Sequence, residues 1–230
     1  MLLYTNSSME KSILHEIIFN CFCGMILLFT VSATAKEDHI PKEYSTHLII
    51  AFGDSLTAGY GVNLSDAYPA LLEQRLKRND YAYSVLNAGI SGETTSGGKS
   101  RINEVLKYKP EIVILELGAN DGLRGTGLGL IYSNLAYIID KLQKKNIKVL
   151  LAGMKLPPNY GNEYTQGFHQ IYLDLAKKYH VPLIPFFLEG TAGKEGLNQA
   201  DGLHPTALGY KIVLENVWNH LVPMLEKNGN

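Results

Sequence analysis

Five short apolar runs, separated by stretches with helical spacing, constrain this chain more than any other feature. His47–Phe52, Tyr83–Ala88, Ile112–Leu117, Lys148–Gly153 and Val181–Phe186 read as strands, the last broken by Pro182 and Pro185, which cannot donate to a ladder. The intervening spacing predicts helices over Tyr68–Lys77, Gly97–Tyr108, Leu130–Lys144, Thr165–Tyr179 and Ala207–Leu225.

Strands that alternate strictly with helices return parallel to one another through right-handed crossovers, which puts helices on both faces of one sheet. The expected class is α/β, a flavodoxin-like three-layer αβα sandwich with a five-stranded parallel sheet. No repeat, low-complexity tract or linker interrupts the alternation, so residues 47–230 read as one domain.

The first 46 residues follow other rules. Lys11 precedes the apolar run Ile17–Val31, and Ser32-Ala33-Thr34-Ala35 supplies a small-x-small exit. That pattern is a secretory signal peptide over residues 1–35, cleaved after Ala35, with 36–46 left as an N-terminal extension. The run is short for a membrane span and is interrupted by Asn20 and Gly24, so no stable membrane insertion is expected after cleavage. Both cysteines, Cys21 and Cys23, lie inside it, so the mature chain is expected to use no disulfide, thiolate or cysteine-bound metal. Of 21 Lys+Arg and 22 Asp+Glu, Lys11, Glu10 and Glu16 leave with the signal. The remaining domain is neutral, with no basic stripe to attract nucleic acid.

In doubly wound sheets, ligands bind beyond the carboxyl ends of the strands. The loops expected at that edge are Gly53–Gly59, Asn87–Thr94, Gly118–Gly122 and Ala200–Pro205. They carry a hydroxyl, glycine amides, a carboxamide, a carboxylate and an imidazole. Ser55 is the candidate nucleophile and His204 its base; Asp201, three residues earlier, is placed to orient the imidazole. The backbone N–H groups of Ser55 and Gly89 and the side-chain amide of Asn120 are candidate donors to an oxyanion. Asp54 orients the loop or merely forms its turn. Each loop alone is an ordinary turn; it is their conjunction that points to acyl transfer. No third donor joins Asp201 and His204, and no metal site is expected.

These residues resemble the SGNH, or GDSL, hydrolase family. Gly53-Asp54-Ser55-Leu56 is similar to its nucleophile block, Gly89 to its glycine block, Gly118-Ala119-Asn120-Asp121 to Gly-x-Asn-Asp, and Asp201-Gly202-Leu203-His204-Pro205 to Asp-x-x-His. Ala51–Gly61, Asn87–Gly98 and Leu115–Gly125 resemble the bacterial thioesterase I, lysophospholipase L1 and arylesterase group beyond those blocks, with Ala119 where many relatives have glycine. The resemblance implies a Ser–His–Asp triad, no cofactor, a periplasmic or secreted location and a small-molecule acyl ester or thioester as substrate. The elbow Gly-x-Ser-x-Gly of the α/β-hydrolases is not present, since Thr57 stands at its last position.

The loop Met154–Tyr164 is expected to wall the cleft, with Leu156, Pro157, Tyr160 and Tyr164 either touching an acyl chain or packing the loop. An O-acetyl esterase of carbohydrate or peptidoglycan, and a non-catalytic binding protein, are the alternatives on the same fold.

Overall fold

A computed structural model describes residues 47–227. The expected signal segment, its cleavage after Ala35, the extension 36–46 and both cysteines lie outside the described residues.

Five parallel strands form the sheet: β1 (His47–Gly53), β2 (Tyr83–Gly89), β3 (Ile112–Glu116), β4 (Lys148–Ala152) and β5 (Leu183–Ile184). Their order is β2-β1-β3-β4-β5, the flavodoxin-like doubly wound arrangement expected of the alternation. The central strands β1 and β3 are buried on both faces, which is why they read as unbroken apolar runs. The edge strand β2 is mostly half-buried. Only two residues of β5 join the ladder, because Pro182 and Pro185 flank them without an N–H to give.

Among the described residues, seven α-helices connect and cover the sheet: α1 (Ser55–Ala58), α2 (Tyr68–Arg78), α3 (Thr95–Lys107), α4 (Ala119–Leu123), α5 (Leu128–Gln143), α6 (Asn162–Tyr179) and α7 (Ala207–Leu221). Helices α3, α5 and α6 pack side by side, as do α2 and α7. Their apolar stripes, such as Phe168, Ile171, Tyr172 and Leu175 on α6, are buried in the core.

Three boundaries differ from the sequence expectation for identifiable reasons. Helix α3 starts at Thr95 rather than Gly97, because the Thr94 side chain accepts from the Gly97 N–H and caps it. The segment expected as the loop Met154–Tyr164 contains a 3-10 turn over Pro158–Tyr160, and α6 already begins at Asn162. The last helix ends at Leu221, and Pro223 follows within a 3-10 turn over Val222–Met224. The short helices α1 and α4 were not legible from periodicity, having barely one turn each.

The carboxyl edge of β1 and β2 is tied together by α3. Arg101 donates from Nε to Glu93 (2.6 Å) and from Nη2 to the Glu93 carboxylate and the Ala88 carbonyl (2.8 Å), while its guanidinium lies over the Phe52 ring. Asp121 of α4 accepts from the Thr95 N–H (2.7 Å) and hydroxyl (2.8 Å), joining the loop after β3 to the start of α3.

Candidate active site

Strand β1 ends at Gly53, and the chain turns at once into α1. Asp54 makes that turn: its Oδ1 accepts from the Leu56 N–H at 2.9 Å and caps the short helix. Ser55 is thereby placed at the first helical position, with its side chain toward the cleft at the sheet edge.

His204 arrives from a turn before α7. Gly202 takes a left-handed φ of 70°, which folds Asp201 back on the residues that follow it. Asp201 Oδ1 accepts from the N–H groups of Leu203 (2.9 Å) and His204 (3.0 Å), and Asp201 Oδ2 lies 2.6 Å from His204 Nδ1. Burial alone would raise the pKa of Asp201. The hydrogen bonds from His204 and Leu203 outweigh it and hold the carboxyl at about 2, so it is an anion at neutral pH. His204 Nε2 lies 2.9 Å from Ser55 Oγ. The turn is pinned by bonds from the Gln199 N–H to the His204 carbonyl (2.8 Å) and from Thr206 to Leu197 (2.9 Å). The Tyr60 ring lies 4.7 Å from the imidazole, centroid to centroid.

Asn120, in α4, stands on the same cleft. Its Nδ2 donates to Asp54 Oδ2 and to the Glu93 carbonyl, each at 3.1 Å, so both hydrogens are engaged in the resting geometry.

Gly89 does not reach the site. Its N–H is already donated to Asn87 Oδ1 at 2.9 Å, and its α-carbon is pressed against α1, where a Cβ would stand 2.3 Å from the Ala58 nitrogen. It is a packing glycine at the end of β2. Gly92, three residues on, lines the cleft instead, and no described residue accepts from its N–H or from that of Ser55. The sequence offered both glycines in one loop, and only the length of β2 separates them.

The cleft encloses about 650 Å³ and is chiefly apolar. Leu56, Met154, Leu156, Pro157, Phe186 and Leu188 are among the apolar residues of its wall. Of the two readings open for the loop, Leu156 and Pro157 take the first and line the cleft. Tyr160 and Tyr164 take the second: they donate to the carbonyls of Leu123 (3.1 Å) and Thr126 (2.7 Å), tying the loop to the α4–α5 connection. Phe186, read in the sequence as the end of the fifth strand, and Leu188 were missed as wall residues because β5 stops at Ile184 and the chain beyond it is irregular.

Next to the nucleophile lies a carboxyl pair, Asp54 and Glu116, both fully buried. Burial raises Asp54 to about 6, and burial together with the neighbouring Asp54 charge raises Glu116 well above the usual carboxylate range. Glu116 is not among the residues expected from the sequence; its signal is a charged residue in an otherwise apolar strand, a placement that demands a partner.

Residues 51–212 match the model of the GDSL-like Lipase/Acylhydrolase family. The chain is 42% identical to Esterase TesA of Pseudomonas aeruginosa over 204 residues, covering 88% of this chain and 96% of that protein. It is 38% identical to Thioesterase 1/protease 1/lysophospholipase L1 of Escherichia coli (strain K12) over 178 residues, 77% of this chain and 84% of that one. Among solved structures, a crystal structure of TesA superposes with a TM-score of 0.76 at 43% identity, covering 78% of this chain and 100% of the other.

Proposed function

The chain belongs to the GDSL-like lipase/acylhydrolase family and is a serine ester hydrolase, and on that premise we propose that Ser55, His204 and Asp201 form its catalytic triad. The observation that carries this reading is the continuous chain from Ser55 Oγ through both ring nitrogens of His204 to Asp201, at 2.9 and 2.6 Å. With the Nδ1 proton given to Asp201, the Nε2 lone pair faces Oγ, which is the tautomer a general base needs.

Ser55 Oγ attacks the acyl carbon as its proton passes to His204 Nε2. The negative oxygen is received by the free N–H groups of Ser55 and Gly92 and by Asn120 Nδ2, which exchanges its bond to the Glu93 carbonyl for one to the oxyanion. His204 then gives its proton to the departing alcohol or thiol, leaving an acyl-serine. Water, deprotonated by His204, attacks that ester and releases the free acid and Ser55. Ser55→Ala is expected to abolish turnover of p-nitrophenyl esters; retained turnover would overturn the assignment.

Acyl esters and thioesters are the proposed substrates. The apolar cleft supports an alkyl acyl group rather than acetyl, since a methyl would leave most of about 650 Å³ unfilled. Across acetyl to palmitoyl esters, kcat/KM is expected to rise with chain length before levelling. A steady fall beyond acetyl would support the O-acetyl esterase reading. Residues 1–35 are proposed to direct export, on the strength of their apolar run and small-residue exit. A mature N-terminus at Lys36 in protein from the periplasm or medium is the expected result; retention of Met1 would refute it. Among the described residues no helix is long and apolar enough to cross a membrane.

A further inference from the structure

Glu116 closes β3 at the floor of the site, and its carboxyl is fully buried. Oε2 accepts from the Thr57 hydroxyl at 2.8 Å and from the Asp54 N–H at 3.3 Å. Oε1 is equally buried, yet it meets no donor among the described residues. An ionised Oε1 left so would carry an uncompensated negative charge in the core. A proton on Oε1 turns the orphan acceptor into a donor, and the neighbouring carboxylate is that of Asp54, whose own N–H is already held by Glu116 Oε2. Gly53 makes room for this arrangement, because a Cβ there would stand 2.5 Å from Glu116 Oε2 and 2.1 Å from the Thr57 hydroxyl.

We infer that Glu116 is a positioning residue for this site: it carries the one proton it shares with Asp54 and donates it to Asp54. Asp54 is then a singly charged hub. Its Oδ1 holds the Leu56 N–H and so the helix that presents Ser55, and its Oδ2 holds Asn120 Nδ2. Neutral Glu116 also matters electrostatically. Two carboxylates beneath the oxyanion pocket would oppose the negative charge formed there, whereas one proton leaves only the charge that anchors the donors.

The groups facing the pair agree with one proton between them. From α1 comes Thr57, from α2 Tyr68, from α6 Tyr172 and from α7 Tyr210, all neutral; Tyr210 donates to the Leu56 carbonyl and Tyr172 to the Leu117 carbonyl. Asp121 of α4 adds negative charge and is occupied by Thr95. Arg101 of α3 is spent on Glu93 and the Ala88 carbonyl. Asp54 accepts from the Leu56 N–H and from Asn120 Nδ2, whereas Glu116 Oε1 has no donor among the described residues, which puts the charge on Asp54 and the proton on Glu116.

The inference rests on Ser55 being the nucleophile, so its test includes a readout that does not need catalysis. Infrared spectra of wild type and Glu116→Gln near neutral pH should differ by the C=O stretch of a protonated carboxyl, present only in wild type. Glutamine keeps an N–H for Asp54 and an oxygen for Thr57, so kcat of Glu116→Gln is expected within about threefold of wild type. Glu116→Met keeps the volume but no donor, and its kcat is expected to fall about tenfold or more with little change in KM. Absence of the carboxyl band in wild type would overturn the inference. So would a Glu116→Gln loss as large as that of Glu116→Met, or a Glu116→Met enzyme with wild-type kcat. If Glu116→Met fails to fold, the band and the Gln variant still decide. Turnover retained in Ser55→Ala would instead count against the triad, while the band would still decide where the proton sits.

Discussion

Asn120→Ala gives the most quantitative check on the oxyanion pocket. A donor aimed at a developing oxyanion contributes about 3–4 kcal/mol to the transition state. Asn120 does not bring that whole amount, because both Nδ2 hydrogens are engaged beforehand, at 3.1 Å to Asp54 Oδ2 and 3.1 Å to the Glu93 carbonyl. Turning one toward substrate surrenders a neutral hydrogen bond worth about 1 kcal/mol. The net loss on truncation is therefore about 2–3 kcal/mol, or roughly 30- to 150-fold in kcat at about 1.4 kcal/mol per decade. The bond is made only as charge develops, so KM should move little. Steady-state kinetics on a p-nitrophenyl ester reads both constants, and thermal unfolding of the same sample controls for the lost anchor on Asp54. A kcat within threefold of wild type, or a change confined to KM, would refute the donor role.

Four further outcomes follow from the same geometry. Asp201→Asn should lower kcat by about 10³- to 10⁴-fold, because the new amide donates to Nδ1 and forces the imidazole proton onto Nε2, facing Ser55; a loss under tenfold in steady-state kinetics would contradict this. Gly89→Ala drives a Cβ to 2.3 Å from the Ala58 backbone and should lower Tm and kcat together, whereas Gly92→Ala meets nothing nearer than 3.9 Å, strains only a left-handed φ of 79° and should cost kcat with a smaller Tm shift; differential scanning calorimetry beside kinetics would expose the reverse order. Asp54 is raised by burial to about 6 in the folded state, so its contribution to stability is full below about 4 and is lost as pH rises through about 6. Urea unfolding should show the wild type losing about 3 kcal/mol relative to Asp54→Asn over that window, and parallel curves would refute the shift. Leu156→Trp should depress kcat/KM for decanoyl and longer esters tenfold or more while sparing acetyl; equal losses across the series would remove Leu156 from the acyl wall.

Much of this architecture is legible in the amino-acid sequence. The fold follows from period alone: β1 and β3 are buried on both faces and so are apolar throughout, and each helix carries one stripe for the core. Ser55, Asn120, Asp201 and His204 were legible because the carboxyl-edge rule points to their loops before any motif does. The two glycines after β2 were not separable in one dimension. The contact that disqualifies Gly89 is with Ala58, thirty-one residues away, and the bond that occupies its N–H comes from Asn87. Tyr160 and Tyr164 were ambiguous for a similar reason, since a tyrosine in a loop serves equally as wall or tie until its hydroxyl's partner is known. Glu116 carried a signal, a carboxylate inside an apolar strand, whose meaning depended on finding Asp54 beside it.

The central claim, that Ser55 is a hydroxyl activated by His204, meets its most direct test in intact-mass spectrometry after exposure to a fluorophosphonate. One phosphonyl group should add to the wild-type chain, map to the peptide carrying Ser55, and vanish in both Ser55→Ala and His204→Ala. A label that persists in Ser55→Ala, or that settles on another residue of the wild type, would contradict it.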